Sequence, residues 1–351
     1  GRKPRRALLW GTRERGVFPN SAGPLPAPFF LCLQLPRAFV FQPAGRTLPY
    51  NRSEGLLRTG AGPDFQREGV LNMRKIFIPV FCALMLAAGT APAEAPAPTD
   101  EQIAAVVSRE MQKLDLESQY ERTLRLEPKE KNRVTADAVK QLFADSDFAR
   151  YIVGQMRQVG LLSMKDPAKV RELSASLGRS LMLSLSDKGA SRLPYEDQRA
   201  LIAFSLRRAL TSPNSRACRS QLLNDPSLSS VSEFAAADHL FINGLSVQAY
   251  RAQMDRVVRA TLSEVKGTPP VRRATAAQKE LAAEALQRAF EARISKLDGR
   301  RRQQLLSALL EPRSADSEDF CEAMKITLRS YLDLSGEVAD WAYEDLFAGG
   351  R

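Results

Sequence analysis

The 351 residues carry 51 Lys and Arg against 40 Asp and Glu, a net charge of +11, with four cysteines and a single histidine. Taken whole, that balance points to an acidic partner, yet residues 1–72 alone hold eleven cations against four acids, a local balance of +7. The next 22 residues add +1, and the rest of the chain is left near +3, so electrostatic steering toward nucleic acid loses its main support.

Residues 1–72 read as a disordered leader. Pro24, Pro26, Pro28, Gly60 and Gly62 punctuate it, Lys3 is the lone lysine among its arginines, and no helical or strand period persists. The simplest account is untranslated sequence read as protein from a start placed too far upstream. The rival is a basic arm for nucleic acid or lipid, disfavoured because the stretch is also rich in Phe and Leu.

Residues 73–93, MRKIFIPVFCALMLAAGTAPA, have the order of a secretory signal peptide. Arg74 and Lys75 precede the apolar run Ile76–Ala88, and small residues follow. The run is too short to span a bilayer, which takes about 20 apolar residues. Cleavage is expected between Ala93 and Glu94, because a cut after Ala95 would place Pro96 just beyond the scissile bond. Cys82 lacks the small residues before it that a lipoprotein would show.

Residues 94–98 form an Ala/Pro spacer, and 99–349 read as a helical domain. Thr99 with Gln102 makes a capping box ahead of Ile103, Val107, Met111 and Leu114. The polar stretch Glu127–Arg133 interrupts the pattern, Thr135 is predicted to cap a second helix, and Ser146 to open a third that Gly160 stops. Asp166-Pro167 starts the next, with Val170, Leu173, Leu177 and Leu181 on one face and Gly189 at its end.

Pro194 begins a helix carrying Ile202, Leu206 and Leu210, and Ser212-Pro213-Asn214 turns into a short one with Cys218 and Leu222. Asp225-Pro226 breaks it, Ser230 and Glu233 cap another, and Gly244 separates that from an amphipathic run through Tyr250, Met254, Val257 and Leu262. Gly267-Thr268-Pro269-Pro270 is the strongest internal break, with a possible sub-domain boundary at 267–274. Beyond it, Thr275 and Gln278 repeat the capping box, and helices bearing Phe290, Leu305, Cys321 and Trp341 complete the chain. The pattern predicts an all-α, irregular orthogonal bundle of about ten helices.

Two cysteines remain past the signal, Cys218 and Cys321, both on apolar helix faces. In an oxidising compartment such a pair is expected to join. The bond would close a loop of about 100 residues, worth roughly 4 to 5 kcal/mol in the chain-entropy model. It would also fasten the two sides of the Pro269-Pro270 break.

His239 stands alone beside Asp238, without a nucleophile pattern, and reads as a structural side chain. Zinc-site spacing, a P-loop and a dinucleotide glycine pattern are absent from the sequence, so no metal and no cofactor is expected. Asp145-Ser146-Asp147 lacks the glycine and distal glutamate of a calcium loop and suits a helix start.

Glu311, Asp316, Glu318, Asp319 and Glu322 are numerous enough to keep a paired-acid cell-wall hydrolase in play, although Asp316–Asp319 fits a solvated helix N-terminus better. Arg300, Arg301 and Arg302 form the densest basic cluster and are expected to be exposed. Leu177–Leu185, apolar on more than one face, reads as central core, with a wall for an acyl chain near Met182 as the alternative.

The leading functional expectation is a non-enzymatic periplasmic interaction or scaffolding module acting on another envelope protein, touching the membrane only during export. A carrier or chaperone for an apolar ligand or client comes second, and the hydrolase third.

Overall fold

The computed structural model describes residues 98–164, 166–312 and 314–348. The leader, the signal segment with Cys82, the Ala93–Glu94 cleavage point, Cys32 and all of the spacer but Pro98 lie outside them. Among the described residues there are thirteen α-helices and no strand. In chain order they are α1 (Asp100–Lys113), α2 (Leu116–Thr123), α3 (Glu130–Ala144), α4 (Ser146–Gln158), α5 (Pro167–Ala190), α6 (Tyr195–Thr211) and α7 (Ser215–Leu223). They continue with α8 (Val231–Asn243), α9 (Val247–Lys266), α10 (Ala276–Ile294), α11 (Gly299–Leu310), α12 (Ser317–Asp333) and α13 (Gly336–Ala348). The all-α multi-helix bundle is the fold.

Local chemistry explains most boundaries. Both capping boxes form: Thr99 Oγ1 accepts from the Gln102 N–H while the Gln102 side chain accepts from Thr99, and Thr275 and Gln278 do the same. Asp145 accepts from the Asp147 and Phe148 N–H groups at the head of α4. Gly160 and Gly267 take left-handed φ angles of 72° and 66°, which let the chain leave α4 and α9 without a Cβ penalty.

Two predicted features differ. Helix α2 was not expected; Asp115 accepts from Ser118 N–H to start it, and Leu116 and Tyr120 bury one face. Thr135 caps nothing: α3 begins five residues earlier, at Glu130, and Thr135 lies buried inside it with its hydroxyl against Lys131 O and Tyr250 Oη. The polar residues that interrupt the apolar period there, Lys131 and Asn132, are themselves buried because they tie down the preceding loop. Lys131 Nζ donates to the carbonyls of Glu127, Ile242 and Asn243, closing the C-terminal end of α8.

The interior has two main apolar clusters. The first gathers Val107, Met111, Tyr120, Leu142, Phe148, Ile152 and Val153 from α1–α4, Phe241 and Ile242 from α8, and Tyr250 and Val258 from α9. The second gathers Ile202, Cys218 and Leu222 from α6–α7 with Phe290, Leu305, Phe320, Cys321, Leu328, Tyr343 and Leu346 from α10–α13. Residues on both sides of the 267–274 break thus share one core. Helix α6 is the common wall, since Phe204 packs edge-on to Phe241 at 4.9 Å while Ile202 and Ala209 face the second cluster.

A small third cluster of Ala190, Leu193, Leu201 and Ala260 marks where α5 crosses α9. The crossing is close because Gly189 has no side chain: a Cβ there would lie 1.8 Å from Ala260 O and 2.5 Å from its carbonyl carbon. Gly189→Ala ordinarily favours a helix by up to about 1 kcal/mol. At this crossing the backbones must separate, so a net loss of about 3 kcal/mol is expected from urea unfolding. A neutral or stabilising result would show that the helices do not pack this closely.

Helix α5 itself is less enclosed than its sequence suggests. Leu185 is buried, but Leu177, Leu181, Met182 and Leu183 are half-buried, since α5 packs chiefly along α9 and is covered mainly on that side.

Candidate functional site

The most enclosed polar assembly joins three helices. Arg208 of α6 and Asp238 of α8 are 5% and 1% exposed, and they form an ion pair in which Arg208 Nε and Nη2 both donate to Asp238 Oδ1. Gln221 of α7 donates to the same oxygen at 2.7 Å through Nε2. Gln221 Oε1 accepts from Ser212 Oγ, and Arg208 Nη1 donates to Gln221 O at 3.3 Å. The guanidinium also stands 5.7 Å from the centre of the Phe234 ring. Asp238 Oδ2 is buried with no hydrogen-bond donor among the described residues. Enclosed to this degree, the group locks α6, α7 and α8 in register.

Three residues before Gln221, Cys218 enters the second cluster. Its sulfur lies at disulfide distance from that of Cys321 on α12, with a Cα–Cα distance of 6.0 Å across a separation of 103 residues. Both cysteines are buried. The pair therefore connects α7, before the 267–274 break, to α12, after it.

A second polar group lies where the α9–α10 connection passes α6 and α13. The Arg272 guanidinium sits 3.8 Å from the centre of the Tyr195 ring and donates to Leu193 O. Tyr195 Oη donates to Glu344 Oε1. Burial and the carboxylate it donates to push the Tyr195 phenol up to about 12. Burial also raises the Asp340 carboxyl above its ordinary value, opposed by Arg272 and reinforced by Glu344, Glu196 and Glu337. An acid whose folded-state affinity for protons is raised adds stability as pH falls through its folded value and subtracts it at neutrality. Asp340→Asn should therefore raise Tm at pH 7, with the gain shrinking as pH is lowered toward the ordinary carboxylate range. Thermal unfolding across that range checks it, and a gain that grows on acidification would reverse the assignment.

The predicted acid cluster is divided by the fold. Asp316 Oδ1 accepts from the Glu318 and Asp319 N–H groups and so caps α12, the helix-start role expected of it. Arg301 of α11 reaches across to both Asp319 and Glu322. Arg301 is thus half-buried in a fork between two acids, whereas Arg300 and Arg302 are exposed as expected. Glu311 Oε2 accepts from Ser314 Oγ at 3.0 Å. Asp145, capping α4, also pairs with Lys266 at the end of α9.

His239 is half-buried, with Nε2 3.1 Å from Arg125 O and Asn243 Nδ2 within 3.4 Å of its ring nitrogens. Arg125 has a left-handed φ of 51°, so the histidine steadies a turn that an arginine seldom adopts. Among the described residues no group of three or more His, Cys, Asp and Glu is placed to hold a metal ion. Among them no helix is long and apolar enough to cross a membrane.

What these observations define is an all-α bundle with a cysteine pair at disulfide distance and a buried three-helix polar lock. No protein-family model, no curated protein and no solved structure matches the chain.

Proposed function

We propose that this chain is an exported helical module of the bacterial cell envelope that binds another envelope protein and does not turn over a substrate. The observation that carries the reading is the buried Cys218–Cys321 pair, two residues 103 positions apart brought to disulfide distance. Such an arrangement is favoured where the compartment oxidises thiols, in accord with the signal-like segment at 73–93. The binding role draws support from the acids themselves. Asp316 is taken up by a helix cap, and Asp319 and Glu322 by Arg301, which leaves them poorly placed as a general acid and a nucleophile.

N-terminal sequencing of the protein from its native cells, with alkylation before reduction, tests export. The expected result is a chain beginning at Glu94 that takes up no alkylating reagent at Cys218 or Cys321. A cytosolic protein with both thiols labelled would overturn the reading. In-cell crosslinking in the periplasm then identifies the partner.

A second reading is favoured by one observation: α5 keeps Leu177, Leu181 and Met182 only half covered, as a wall for an apolar ligand would. Mass spectrometry of a lipid extract from purified protein separates the two, since a carrier brings its ligand along and a scaffold does not.

A further inference from the structure

We propose that α7 is a redox-released segment: an intact Cys218–Cys321 bond holds it in the fold, and reduction frees it together with its grip on α8. Of its nine residues six are buried, yet only Ala217, Cys218 and Leu222 of these are apolar. The other three are Arg219, Ser220 and Gln221. Hydrophobic attachment scales with apolar area removed from water, and beyond Ala217, Cys218 and Leu222 α7 adds only the partly buried Leu223.

Its remaining ties are polar. Arg219 Nη2 donates to Pro312 O at 2.9 Å, Ser220 Oγ to Asp225 O at 2.8 Å, and Gln221 Nε2 to Asp238 at 2.7 Å. Water takes over much of each such bond when a segment opens, so its net hold is a fraction of its strength in isolation. The link from Cys218 to Cys321 is a tie of another kind, since water cannot replace it.

The ends of the segment suit independent release. Asn214 caps it at the start, Asn224 leaves it through a left-handed φ of 48°, and Asp225-Pro226 follows at once. A short helix between two breaks, with few apolar contacts, belongs at the low-stability end of a structure.

Release reaches further because Gln221 and Arg208 share Asp238 Oδ1. When α7 leaves, Asp238 loses one donor, and α8 loses a clamp near Phe241 and Ile242, which belong to the first cluster. The cysteine state is thereby coupled to both cores through one nine-residue helix.

The chemistry requires an external dithiol reductant. Its thiolate attacks one sulfur, the S–S bond breaks, and a second thiolate of the reductant resolves the mixed disulfide. Two electrons and two protons pass to Cys218 and Cys321, and the reductant leaves as its own disulfide. Because both sulfurs are buried, attack waits on a small local fluctuation that exposes one sulfur while the bond is still intact, and full release of α7 follows the reduction. The proposal rests on the placement of the sulfurs and not on export, so a cytosolic protein would leave it standing.

Hydrogen–deuterium exchange of the full chain, oxidised and then in dithiothreitol, is the test. Beyond the loss that lower global stability imposes on every helix, amides of α7 and the 226–228 turn should lose protection by a further factor on the order of a hundred on reduction, those of α8 by less, and those of α1, α3 and α4 by no more than the shared loss. Cys218→Ala/Cys321→Ala without reductant should give the same pattern. If that variant does not fold, the reductant series on the native sequence decides alone. Unchanged protection in α7, or a uniform loss along the chain, would overturn the proposal.

Discussion

Cys218→Ala/Cys321→Ala should cost about 4 kcal/mol of unfolding free energy, read as a fall in the urea midpoint against the oxidised protein. The expected size follows from the 103-residue separation, since a cross-link over a longer loop removes more freedom from the unfolded chain. Cavity formation adds little, because each substitution removes a single sulfur from the second cluster. Reducing the native protein should reproduce the loss without any substitution. If oxidised and variant proteins unfold at the same urea concentration, the sulfurs are neighbours without a bond, and the case for an oxidising compartment loses its chief support.

Much of this fold was legible because helix ends are local chemistry. Thr99 with Gln102, Thr275 with Gln278, Gly160 and Gly267 act within a few residues of their place in the chain, and they do what their types suggest. Failures came where a polar residue answers a distant partner. Lys131 and Asn132 look like an interruption of a helix, yet α3 has already begun at Glu130, and Lys131 Nζ finds carbonyls 111 and 112 residues away. Helix α2 carries its own signals in Asp115, Leu116 and Tyr120, but at eight residues it offers too little period to stand out beside α1.

The candidate sites divide in the same way. Cysteine count alone singled out Cys218 and Cys321, since only two lie past the signal-like stretch. The acids 316–322 could be read as a cap at one end, but nothing local says that Arg301 will claim Asp319 and Glu322. Arg208 and Asp238 passed unnoticed because each sits on a helix with other polar residues, and burial of both is a property of three packed helices. The available hint was Asp238 among Ala235, Ala237, Phe241 and Ile242, a charge on an otherwise apolar face.

Asp238→Ala should be nearly as damaging as loss of the disulfide, at about 3 to 5 kcal/mol. The pair itself is no strong source of stability, because taking both charges from water offsets most of their attraction. Removing one partner is different. Arg208 stays inside without the carboxylate that balances its charge, and the Gln221 amide loses its acceptor. The double variant Arg208→Met/Asp238→Leu removes both charges and fills the space, so it should recover most of the loss. Chemical denaturation of the single and double variants measures the coupling directly. A double variant as unstable as Asp238→Ala would mean that the charges do more than satisfy each other. Asp238→Ala with native stability would mean that water already reaches Arg208, and the lock joining α6, α7 and α8 would not exist.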